Sequence, residues 1–184
     1  GGAEALRSAG LSSPIEVPAS LRDSLTARLD RLGEAKMVAQ LASVLGREFS
    51  HEMVSALATV SETTLSEALD ALERAELLYR RGLPPRATYS FKHALIQEIA
   101  YESLLRSRRA DLHGRVAELL ETRFGEHSGS EPEVIAFHYA QARRPELAAA
   151  AYLRAGELAK QRTANVEAIG HLRAALDQLS AAPE

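Results

Sequence analysis

The chain has no cysteine and no tryptophan. Without cysteine there is no disulfide framework, no thiolate chemistry and no cysteine-based metal site. That composition fits a reducing cytoplasm. Aromatic residues are few, four Phe and five Tyr, and Ala and Leu dominate, as suits helices packed closely through small side chains. No apolar run approaches the length of a membrane span. No basic-then-apolar secretory start is present. The expectation is a cytoplasmic protein with no membrane partner. Positive charge is not in excess: the formal net charge is −3. Bulk charge therefore supplies no field for nucleic acid or an anionic membrane.

Chemical motifs are missing too. Neither Gly-x-x-x-x-Gly-Lys-Ser/Thr nor Gly-x-Gly-x-x-Gly occurs, so there is no phosphate loop. There is no Gly-x-Ser-x-Gly elbow. His51-Glu52 opens like the zinc-protease helix motif, but Ser55 stands where the second His is required. The six His are scattered, and His113 and His138 read as boundary residues of amphipathic helices. The residues thus predict no catalytic site, no metal site and no cofactor held by this segment. The chain opens Gly1-Gly2 with no Met, which fits a fragment or a cloning remnant.

What is present is mostly helix. Residues 1–18 read as a linker, with Pro14 and Pro18 favouring extended geometry. Ser20 is a candidate N-cap for a helix with Leu21, Leu25, Leu29 and Leu32 on one face, stopped by Gly33. A second helix is expected over Glu34–Leu45, with Met37, Val38, Leu41, Val44 and Leu45 inward, closed by Gly46. Phe49 is placed as a plug at the following turn. Ser50 starts a short helix. Ser61 caps another, Glu62–Glu76, striped by Leu65, Leu69 and Leu72. Leu77–Arg81 and Ala87–Phe91 are strands about a turn at Gly82–Pro85. Three helices and a β-hairpin are the winged-helix order, with a short wing.

The stretch Tyr89–Leu105 changes period without a Gly or Pro. Tyr89 and Phe91 alternate against Ser90 and Lys92; Leu95, Ile99 and Leu105 then follow helical spacing. His93 sits at the joint. A His there commonly fixes the turn by a local hydrogen bond. It can also reach the free N–H groups of a helix start, where anions are favoured. From Ala94 onward only helix is expected: to Ser107, Arg108–Phe124, then, after a break at Gly125–Ser130, Glu131–Ala142, Pro145–Arg162 and Asn165–Ser180. Tyr152, Ala155, Gly156, Ala159, Ala168, Leu172 and Ala175 fall at the spacings of one degenerate tetratricopeptide repeat. A lone repeat cannot bury its outer face, so further repeats are expected in a longer parent.

Charge bears on the nucleic-acid question. The helix over residues 62–76 carries Glu62, Glu67, Asp70, Glu73 and Glu76 against Arg74 alone, a net of −4. Such a helix repels phosphates. The wing is basic through Arg80, Arg81, Arg86 and Lys92, and Arg106, Arg108 and Arg109 form a second cluster. Both clusters read as solvated surface, as a contact to an acidic domain or nucleotide phosphate, or as a DNA contact.

Val17–Leu32, Ala39–Ser50, Leu69–Leu78 and Tyr89–Tyr101 occur in that order. Together they resemble the region that follows the nucleotide-binding domain of bacterial STAND-type ATPases. The nearest likeness is to multidomain proteins joining a class III adenylate/guanylate cyclase domain, an ATPase and a tetratricopeptide array. The resemblance covers about residues 15–180. It implies a mainly α fold: a linker (1–18), a winged-helix domain with a short two-stranded wing (19–93), connecting helices (94–124), and antiparallel tetratricopeptide-like hairpins (131–184). It implies a non-catalytic regulatory arm whose partners are an intramolecular ATPase domain and a protein ligand on the repeats. ATP or ADP would be held by that ATPase domain, whose motifs are not in these residues. Phe91-Lys92-His93-Ala94-Leu95 matches the position from which such a His contacts the ADP β-phosphate, so His93, with Lys92, is the candidate nucleotide sensor. Arg80, Arg81 and Arg86 are the basic wing surface. Tyr152, Gly156, Ala168, Leu172 and Ala175 are the repeat-packing residues. The alternative is a DNA-binding winged-helix transcriptional regulator, although nucleic acid is not the expected partner.

Overall fold

The computed structural model describes residues 19–123 and 132–180. The expected linker (1–18), the break at Gly125–Ser130 and the last four residues lie outside them. Helix α1 (Ala19–Asp30) already includes Ser20, which is its second residue rather than its cap. The chain turns through Gly33, whose φ of 53° suits a residue without Cβ, into α2 (Glu34–Leu45), which Gly46 ends. Val38, Ala39, Ala42 and Val44 of α2 are buried. Met37 is not inward as its spacing suggested: it is 56% exposed. It lies on the rim of a groove between α2 and the 58–60 loop.

Next comes β1 (Glu48–Ser50), then α3 (His51–Leu57) and α4 (Glu62–Arg74). Both helices start as expected. Ser50 Oγ accepts from Met53 N and Ser61 Oγ from Thr64 N, at 3.1 and 3.2 Å, which satisfies otherwise unpaired donors. Strands β2 (Leu78–Arg81) and β3 (Thr88–Phe91) form the hairpin. The sheet is three-stranded and antiparallel, in the order β1-β3-β2. Phe49 is therefore not a plug at a turn. It is the centre of β1, paired with Tyr89 and 5% exposed.

Helix α5 (Ala94–Glu102) is shorter than its periodicity predicted, and α6 (Arg106–Arg123) starts earlier. Ser103 N bonds to Ile99 O and Leu104 N to Tyr101 O. These bonds end α5, and buried Leu104 pins the bend between the helices. Helices α7 (Pro132–Gln141), α8 (Pro145–Gln161) and α9 (Asn165–Ser180) follow, each packed on the one before it. The fold is thus mainly helical with one small antiparallel sheet. One core joins α1–α5 to the sheet, and a second joins α6, α7 and α8. A seam of Val44, Leu57, Leu104, Leu112 and Val116 ties the halves together. No helix among the described residues is long and apolar enough to cross a membrane.

Three helices end in one pattern. After α4, α7 and α8, the residues Glu76, Arg143 and Thr163 take φ values of 52°, 58° and 61°. The next amide reaches back five residues: Leu77 N to Leu72 O, Arg144 N to Tyr139 O, Ala164 N to Ala159 O. This is the Schellman termination, in which glycine normally occupies the left-handed position. Thr163 is β-branched, the poorest kind of residue for that region. Thr163→Gly is expected to stabilise the chain by about 0.5–1 kcal/mol, the relief of the left-handed strain less glycine's greater entropy loss. A urea titration checks it.

Candidate functional site

His93 owes its position to the elements on either side. Phe91 N bonds to Arg47 O (2.9 Å) and Lys92 N to Leu77 O (3.0 Å), which holds the chain extended through residue 92. Burial of Ile96, Ile99 and Ala100 then sets the helix. His93 is the residue between, extended at φ −133° and ψ 143°. Its carbonyl accepts from Ile96 N at 3.0 Å. Its side chain makes no cap hydrogen bond, and the residue is exposed. The turn is thus fixed by backbone, and the imidazole is not used to fix it.

His93 lines a cleft of about 430 Å³ with Leu21, Leu25, Arg28, Glu76, Lys92, Leu95 and Ile96. Arg28 donates to the carbonyl of Ala75 at the end of α4, where the negative end of the helix dipole favours a cation. Lys92 Nζ lies 3.3 Å from Glu76 Oε2 and 5.5 Å from the centre of the Tyr79 ring. One wall therefore offers imidazole, guanidinium and ammonium, with an apolar floor from α1 and α5. The one carboxylate in the lining, Glu76, is engaged by Lys92. This arrangement can bind an anion. It holds no nucleophile with a base beside it. Arg28 was not singled out in the sequence, because its place depends on α1 crossing the end of α4.

The three residues expected to form a basic wing surface differ in exposure. Arg81 and Arg86 are exposed. Arg80 is turned onto α4, with 2.8 Å to Asp70 Oδ1 and 3.0 Å to Glu73 Oε2. The acids of α4 are thus mostly committed internally, Asp70 and Glu73 to Arg80 and Glu62 to His51, and Glu76 just beyond the helix is held by Lys92.

The His51 cluster has the residue types of a hydrolase but not the connections. His51 Nε2 is 2.6 Å from Glu62 Oε1, and Ser55 Oγ donates to Glu62 Oε2 at 2.8 Å. The Ser55 hydroxyl bond, then that of His51, holds the Glu62 carboxyl below its ordinary range. Ser55 is bound to the carboxylate rather than to the ring, so the Ser–His contact of a Ser-His-acid triad is missing.

His113 and His138 are not boundary residues. They are 2% and 5% exposed, with Nδ1 to Nδ1 at 2.8 Å. Tyr101 Oη lies 2.9 Å from His113 Nε2. Burial pushes both rings down to about 4. A signal was available: His113 continues the helical stripe of Leu112 and Val116, and His138 stands between Ile135 and Tyr139.

Of the residues expected to pack a repeat, Gly156 lies against Leu172 and Ala168. The Tyr152 ring stacks on His171 at 6.3 Å. A Cβ added to Gly156 would lie 3.1 Å from Leu172 Cγ and 3.5 Å from Ala168 O. Glycine here allows α8 and α9 their close approach. Ala168 and Ala175 are buried, while Leu172 is largely exposed.

No family model matches the sequence, and no solved structure matches the fold. An uncharacterized protein of Rhizobium meliloti (strain 1021) is 33% identical over 154 residues, covering 83% of this chain. The chain spans 15% of that relative's length.

Proposed function

We propose that this chain is the non-catalytic regulatory arm of a multidomain signalling ATPase, possessing or lacking a cyclase domain. Residues 19–93 form a winged helix that reads the nucleotide state of an adjacent ATPase domain. The helices over 132–180 begin a tetratricopeptide-like surface for a protein ligand. The observation that carries the reading is the His93 imidazole: exposed, free of any capping role, and set beside Arg28 and Lys92 at a helix start. Such a group can donate to a phosphate held by a neighbouring domain. The strand order β1-β3-β2, with β1 between α2 and α3, supports a winged helix. The close α8–α9 contact at Gly156 supports a repeat hairpin.

The DNA-binding alternative has weaker support. The helix that would enter a groove, α4, carries Glu62, Glu67, Asp70 and Glu73 against Arg74, a net of −3, and Arg80 is spent on that same helix.

In the full-length parent, His93→Ala is expected to speed ADP release by about 10- to 100-fold, as loss of a hydrogen bond to a charged group implies, and to raise basal output. Stopped-flow release of a fluorescent ADP measures it. An unchanged off-rate sinks the sensor role.

A further inference from the structure

The α5–α6 turn and the α7–α8 turn meet at a cavity of about 250 Å³ lined by Tyr101, Arg106, Arg109, Ala110, Gln141 and Arg143. One water occupies roughly 30 Å³ of liquid volume, so a tetrahedral anion fits. Three of the six lining residues carry guanidinium groups and none carries a carboxylate. The acids adjacent in sequence to lining residues are engaged elsewhere: Glu102 with Arg22, and Asp111 with Arg108.

Arg109 is held over the Tyr101 ring, its guanidinium carbon 5.1 Å from the ring centre. Its Nε is buried and has no hydrogen-bond partner. Arg143 enters the cavity from the left-handed residue that ends α7, where glycine would be relaxed. Arg106 comes from the first residue of α6. Planar guanidinium forks suit oxyanions that accept paired bonds, better than ammonium groups do.

We propose that this cavity is an oxyanion site for a phosphate group, with Arg106, Arg109 and Arg143 donating to its oxygens and the Gln141 amide at its rim. The site is independent of the His93 cleft. Tyr101 lies eight residues further along α5, roughly 12 Å at the helical rise, and the other lining residues belong to α6 and the α7 end. Failure of one proposal therefore leaves the other standing.

The test is a titration with inorganic phosphate at constant ionic strength, followed by two-dimensional NMR of arginine Nε–H and tyrosine ring signals. Saturating shifts are expected at Arg109 and Tyr101, with Arg81 and Arg86 as unaffected references. Arg106→Gln and Arg143→Gly are each expected to weaken binding about tenfold. Arg143→Gly also relieves a left-handed side chain, so this variant keeps the fold while losing the contact. Shifts that never saturate, or an affinity unchanged in either variant, overturn the site. A parallel titration with glycerol 3-phosphate separates the sources. Tighter binding of the ester than of the free ion assigns the site to an esterified ligand, and the reverse order assigns it to inorganic phosphate.

Discussion

Acidification from about pH 7.5 to about pH 5 is expected to cost the fold about 4 kcal/mol, close to 2 kcal/mol for each of two buried rings. The rings are His113 and His138, held at 2.8 Å through their Nδ1 atoms. Burial is the first cause that lowers each to about 4; the Arg109 charge adds to it at His113, and His113 adds to it at His138. In the unfolded chain both titrate near 6.5. Between about 6.5 and 4 the unfolded state therefore binds more protons, and stability falls as pH falls. Above that window the pair contributes no pH dependence. The geometry agrees with the direction. One Nδ1 must donate and the other accept, so two charged rings would set proton against proton. Tyr101 on α5 and Arg109 on α6 face the pair, and neither offers an anion. Urea unfolding at several pH values measures the slope. His138→Asn keeps an amide near the Nδ1 position but removes one titrating ring, and should halve it. A flat profile through the window would refute the assignment.

The parts of this fold that could be read in advance are those governed by neighbours in the chain. The bounds of α2 follow from Gly33 and Gly46. The starts of α3 and α4 follow from Ser50 and Ser61, whose hydroxyls bond three residues ahead. His93 could be located because the period changes there. The rest is tertiary. Strand β1 has three residues and no alternation to detect, and its partner β3 lies about forty residues on. The break between α5 and α6 has no glycine or proline; buried Leu104 makes it. Three Schellman ends carry Glu, Arg and Thr in place of glycine, which removes the usual stop signal. Arg80 looked like free surface because its partners Asp70 and Glu73 lie on another element. The same holds for the candidate site: His93 and Lys92 were legible, and Arg28 was not.

Phe49→Ala is expected to destabilise the chain by about 3–5 kcal/mol, the range for removing a buried aromatic ring. The ring stacks on Tyr89 at 5.6 Å and 16°, and meets Phe91 at 5.9 Å and 54°. Those three rings, with Leu78 of β2, are the sheet's contribution to the first core. Only three residues hold β1 in place, so its pairing relies on this one side chain. Its loss should therefore act on specific amides. Phe91 N, bonded to Arg47 O, and His51 N, bonded to Ala87 O, close the β1–β3 edge. Both are expected to lose hydrogen-exchange protection in Phe49→Ala. The amides of α8 and α9, packed on the second core and each other, should keep theirs, because local opening follows local contacts. The Phe91 bond also holds the strand that delivers His93, so the same variant should loosen the joint on which the sensor reading depends. Uniform loss of protection across all helices would show instead that the two cores unfold as one unit.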